Sequence, residues 1–173
     1  MLQVNPLRGV LRSLYLKTAG RVVFDDAAVG CRLETEDGDV YTIFRRVTIH
    51  PPGGAEAAPF GLFDVRFTPT ADIAANLRLS KVLMWVFMGF EGFRSKYWGV
   101  NETTGECRGI YEWDTLQDVE RYSKSIAVRN MTRRSKPGSV SFRVLENTAE
   151  NRRFRILEVS PEERERLRRA YGV

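Results

Sequence analysis

Seven side chains on four short alternating segments carry the chemistry this sequence can offer: Asp64, Arg66, Arg94, Lys96, Trp98, Glu112 and Arg143. Residues that alternate along a β-strand point to opposite faces. Alternation puts these seven, with Ser141, on one face of a sheet. The opposite face receives Phe63, Val65, Phe67, Phe93, Tyr97, Tyr111, Trp113, Val140, Phe142 and Val144, an apolar set for helices to cover. The polar face has two readings. It is either the wet side of an antiparallel sheet, or the lining of a cavity closed when two sheets meet as a barrel. In the second reading Arg94 and Arg143 can clamp a carboxylate, while Asp64 or Glu112 can accept a proton.

Other chemistries find little support. His50 is the only histidine, so no metal centre is expected, because a metal site needs more ligands. No cofactor is expected either; haem with His50 as axial ligand is the alternative. A nucleophile elbow, a dinucleotide fingerprint and a phosphate-binding loop are all missing. Cys31 and Cys107 stand far apart and fit no metal-ligand spacing. They read as free thiols in a reducing compartment, which places the protein in the cytoplasm. The longest apolar run, Val82 to Phe90, is about half the roughly 20 residues that span a bilayer. Arg12 and Lys17 interrupt the early apolar stretch, so no secretory signal is expected.

The net charge of +5 suggests nucleic acid until it is located. Arg8, Arg12, Lys17 and Arg21 make the first 21 residues +4, and residues 151–173 carry seven arginines against four glutamates. What lies between holds 16 basic and 18 acidic side chains. The surplus therefore lies outside the central segment, and no nucleic acid partner is expected.

The elements that must position these residues follow from periodicity. Leu7, Val10, Leu11 and Leu14 make the stripe of a short amphipathic helix ending near Ala19-Gly20. It is expected to lie on the domain or on a dimer mate, with attachment to a membrane surface as the alternative. Asp37-Gly38 marks a hairpin, and Pro51-Pro52-Gly53-Gly54 breaks the chain before Pro59. From Phe60 to Glu146 the pattern is strand, helix, strand, strand, helix, strand. The first helix runs from Ala71 to about Met88; the second carries Leu116, Val119, Tyr122, Ser123, Ile126 and Ala127 on one face. A short strand from Phe154 and a helix opened by Ser160-Pro161-Glu162-Glu163 close the chain. The expected organisation is an extension over 1–59, an α+β domain over 60–146 and a C-terminal strand and helix over 147–173.

The run Gly92-Phe-Arg-Ser-Lys-Tyr-Trp98, then Glu102-Thr-Thr-Gly105 and Gly109-Ile-Tyr-Glu-Trp113, resembles a hairpin of the YdhR-type monooxygenase family, in the dimeric α+β barrel superfamily. Pro137-Gly138-Ser139-Val140 fits the entry to that family's last strand. Glu120-Arg-Tyr122 stands where the family carries an alanine motif. The resemblance covers residues 60–146. It implies a ferredoxin-like βαββαβ fold with a four-stranded antiparallel sheet, a homodimer, and a monooxygenase-like activity without cofactor on an aromatic or polyketide-like molecule. It assigns no catalytic residue. The alternative function is a non-catalytic protein that binds a small ligand or a partner.

Overall fold

The computed structural model describes residues 6–52 and 58–171; the Gly53-Gly54 part of the expected loop lies outside them. Helix α1 spans Pro6–Thr18, followed by strands β1 (Val22–Phe24), β2 (Arg32–Thr35), β3 (Val40–Ile49) and β4 (Gly61–Phe67). Then come α2 (Ile73–Phe87), β5 (Phe93–Val100), β6 (Cys107–Trp113), α3 (Leu116–Ser123), α4 (Ile126–Arg133), β7 (Ser141–Glu146), β8 (Phe154–Leu157) and α5 (Pro161–Tyr171).

Strands β7, β4, β6 and β5 lie side by side in that order, all antiparallel. With α2 after β4 and α3–α4 before β7, this is the strand order of the ferredoxin-like fold. The sheet does not stop at four strands. Left alone, β5 would present a row of unpaired backbone groups. The ten-residue β3 pairs along it from Thr42↔Val100 to Thr48↔Ser95, β2 pairs on β3 and β8 on β2, while β1 joins the far end of β3. The four-stranded expectation is thus corrected to an eight-stranded sheet.

That sheet must curl. Its path has β7 at one end and β8 at the other, six strand spacings apart, or about 29 Å if flat. Only residues 147–153 connect them, and this link is folded into a turn by Asn151 N and Arg152 N donating to Thr148 O at 3.2 and 3.0 Å. So short a link demands that the two ends approach, which gives a half-barrel. Its inner face is filled by Leu33, Tyr41, Ile43, Leu62, Tyr97 and Ile110, all buried within one chain. The face expected to meet a second copy is covered by the chain's own strands.

The outer face carries the larger core. Phe63 packs edge-on to Tyr122 and Tyr111, with ring centroids at 5.0 and 5.5 Å, each contact worth roughly 1 kcal/mol beyond its area. The expected second helix is two: α3 ends at Ser123, and Ser125 accepts from Val128 N to cap α4. Helix α1 lies against α2 by its small residues. A side chain on Gly89 would put its Cβ 1.9 Å from Gly9 O, and Ser13 Oγ donates to Trp85 O at 2.5 Å. Only Leu16 of its large residues is buried, while Leu7, Leu11, Leu14 and Tyr15 are 47–72% exposed. The leucine stripe therefore faces outward rather than onto the domain, because the close approach at Gly9 and Gly89 selects the opposite side. At the other end Ser160 caps α5 by accepting from Glu163 N, Glu163 pairs with Arg32 at 2.6 Å, and Leu167 is buried.

Candidate functional site

A β-bulge decides where the chemistry lies. Phe93 pairs with Trp113 and Lys96 with Tyr111, so between them β5 spends one residue more than β6. The extra residue reverses the alternation. Lys96 and Trp98 pass to the helix-covered face with Tyr111 and Trp113, and Tyr97 passes to the inner face. This corrects the faces expected for all three. A second register shift in β3, between Ile43 and Arg45, puts Arg45 opposite Trp98 on the helix side.

The result is a cavity of about 180 Å³ between the sheet and α2. Helix α2 contributes Asn76, Leu79, Ser80, Leu83 and Phe87, residues three to four apart that share one side of a helix. The sheet contributes Phe44, Lys96, Trp98, Cys107, Gly109 and Tyr111; Pro69, Thr70, Met131 and Arg134 complete the wall. Among the described residues no aspartate or glutamate lines it. Gly109 is required here, since a Cβ would come within 2.8 Å of the Tyr111 ring and 3.5 Å of Lys96 Cε. A cavity of roughly 150 Å³ accepts benzene, so this one suits a single substituted ring.

Its polar groups converge on Lys96. Nζ is 2.6 Å from Tyr111 Oη and 4.0, 4.1 and 4.3 Å from the ring centroids of Tyr111, Trp98 and Phe87. Burial, reinforced by Arg45, pushes the Lys96 pKa well below the ordinary lysine value. Burial also lowers Arg45 to about 10, and Arg45 donates to Ser80 Oγ. Tyr111 and Tyr122 are shifted upward by burial and stay protonated. The Cys107 thiol, pushed up to about 12 by burial, is a poor nucleophile. The arrangement offers an amine whose charged form is disfavoured by burial, beside a phenol, in a mainly apolar chamber. It can accept a proton, or attack an electrophilic carbon.

The remaining five expected site residues are not brought to this cavity. Asp64, Arg66 and Arg143 border a smaller polar cavity of about 120 Å³ on the inner face, with Arg108 and Asp37. Asp64 is engaged there. Arg108 donates to both its oxygens at 2.9 and 2.7 Å, and Arg143 adds a bond at 2.6 Å. Arg66 lies 3.7 Å from Asp39. Glu112 accepts from Ser95 Oγ and is ion-paired with Arg152. Arg94, in the bulge, pairs with Asp114 at 2.9 Å. Both expected carboxylates are thus held in ion pairs with arginines. His50 is exposed at the end of β3, and no metal-ligand cluster occurs among the described residues.

Alternation alone missed Phe44, Leu83, Phe87 and Tyr111 as cavity walls. A better signal was the hairpin motif itself, because Lys96, Trp98, Gly109 and Tyr111 all belong to it and all face the cavity.

The chain matches no family model and no curated protein of similar sequence. Among solved structures it is similar to an uncharacterized ferredoxin-fold protein from Listeria monocytogenes related to antibiotic biosynthesis monooxygenases. That similarity has 13% identity and a TM-score of 0.48, over 63% of this chain and 64% of that one. An anthrone oxidase-like protein aligns at 15% identity and TM-score 0.46, over 68% of this chain and 56% of that one. A monooxygenase-like protein from Listeria innocua gives 13% and 0.46, over 72% and 68%. This chain thus spans less than two thirds of the first two. Overlaps this partial leave the functional argument to the site.

Proposed function

We propose that the protein binds a single-ring aromatic molecule in the cavity beneath α2 and oxygenates it in a monooxygenase-like reaction without a bound cofactor. The observation that carries this reading is the pairing of a buried amine, Lys96, with Tyr111 at the wall of a mainly apolar cavity. The hairpin that resembles the YdhR-type family supplies both residues. In such a reaction the substrate provides the electrons. Lys96 Nζ takes the O–H proton of a phenol, and the para carbon of the phenolate reduces dioxygen, forming a C–O bond to a hydroperoxide. The O–O bond then breaks: one oxygen stays on carbon as a quinone carbonyl, and the other leaves as water with the para C–H hydrogen and the proton returned by Lys96. The cavity volume favours one ring over a fused polyketide-like system. We also propose a homodimer, formed through a surface other than the filled inner face; light scattering above the 19.8 kDa of one chain tests that part.

The experiment is a binding titration with phenols, read by Trp98 fluorescence and coupled to an oxygen electrode. The reading expects saturable binding, with oxygen uptake by electron-rich ligands that falls at least about a hundredfold in Lys96→Met, the lower end for one proton-transfer group. Binding without oxygen uptake selects the second reading, a non-catalytic carrier, which the absence of any carboxylate on the cavity wall favours.

A further inference from the structure

We infer that Lys96 is a carbonyl-capturing residue: a small aldehyde or ketone that enters the cavity beneath α2 condenses with its Nζ to an imine. The inference rests on the reading of this cavity as the ligand site and goes on to name the functional group it captures.

Geometry comes first. The side chain is buried, yet Lys96 lines the cavity. Three rings stand about the nitrogen at 4.0–4.3 Å, which leaves the cavity as the side from which a ligand can approach. The groups acting on it are Arg45, which lowers its pKa, and Cys107, which raises it; no carboxylate is among them. Burial weighs against the charged form of this amine and so favours the lone pair that attack on a carbonyl needs. The other four lysines, Lys17, Lys81, Lys124 and Lys136, lie outside the cavity wall.

Tyr111 completes the chemistry. Attack of Nζ on the carbonyl carbon forms a C–N bond and a carbinolamine. The nitrogen gives up two hydrogens, the former carbonyl oxygen receives both, and it leaves as water, with C=N in place of C=O. No oxidant or reductant is consumed. Tyr111 Oη, 2.6 Å from the nitrogen, is placed to relay these protons from nitrogen to oxygen. An apolar chamber that excludes water favours the dehydrated imine over the carbinolamine. A resting Lys96–Tyr111 pair with no carbonyl to act on would serve only as a costly buried polar contact.

The test uses the full chain near neutral pH with benzaldehyde as probe and cyanoborohydride to trap any imine as a stable secondary amine. Peptide mapping by mass then locates the label. The expected result is trapping at Lys96 at least about tenfold faster than at any other lysine, with competition by phenol, which fills the cavity but has no carbonyl. Label confined to the other lysines overturns the inference. Trp98 fluorescence separates the two levels of the argument. Benzaldehyde that binds without being trapped overturns the imine and leaves the cavity reading intact, whereas no binding by benzaldehyde or phenol overturns both. Lys96→Met is expected to lose the trapped adduct; an adduct that persists in this variant overturns the assignment.

Discussion

The two faces of the sheet hold charges in opposite ways. On the inner face Asp64 sits among arginines and Glu112 beside Arg152, and Leu33, Tyr41, Ile43 and Ile110 form a buried apolar cluster on the same face. On the helix side one amine and one phenol face an apolar cavity. The inner face is richer in ionisable groups, yet its carboxylates are held by cations and have architecture as their main task. The helix side is poorer, but among the described residues no carboxylate lines the Lys96 cavity, and burial weighs against the charged amine. A count of charges on a face is therefore a weak guide to chemistry; whether each charge is matched is a better one.

This contrast breaks most readily at Asp64. Replacing it with alanine leaves Arg108, whose side chain is only 5% exposed, without its carboxylate. The expected loss is about 3–5 kcal/mol in urea unfolding, with ligand binding on the helix side retained wherever the variant is folded. Gly109→Ala comes next. Its Cβ would press on the Tyr111 ring, an overpacking cost of about 1–3 kcal/mol. Because the ring cannot move without leaving Lys96, the variant should also lose reactivity. Leu83→Trp is expected to change stability by less than about 1.5 kcal/mol but to abolish phenol binding by filling the cavity. Retained binding would place the ligand elsewhere.

Lys96→Met has the smallest effect on stability at neutral pH and the most informative dependence on pH. Lys96 has a folded pKa below its unfolded value, so the unfolded chain binds more protons between the two. Its contribution is unfavourable at low pH and is relieved as pH rises toward the unfolded value of about 10.4. The stability of wild type relative to Lys96→Met should therefore climb between about pH 7 and 9.5. The upper limit avoids Tyr111 and Tyr122, whose raised values make stability fall only above about pH 10. A flat difference would mean that Lys96 is charged and matched in the fold.

Much of the architecture was legible because local chemistry and global order agree. Gly38 and Gly105 adopt positive φ at the two hairpin turns, Ser160 caps α5, and residues 60–146 fold in the expected strand sequence. The candidate site was only half legible. Nothing in Phe93-Arg-Ser-Lys-Tyr-Trp98 marks which residue will bulge, and one extra residue exchanges the faces of Lys96, Trp98 and Tyr97. Asp64 and Glu112 were recognisable as chemically able, but their partners Arg108 and Arg152 come from other strands and loops that alternation does not connect. The outward turn of the α1 leucines was hidden for a similar reason. It depends on contact between Gly9 and Gly89, eighty residues apart in the chain.

The central claim, that the ligand site lies on the helix side of the sheet, is tested most directly by methyl NMR during titration with a single-ring phenol. The account predicts shifts of Leu79, Leu83 and Met131, which line the cavity, while Leu33, Ile43 and Ile110 on the inner face stay in place. Movement of the inner-face methyls with the cavity methyls unmoved would contradict it.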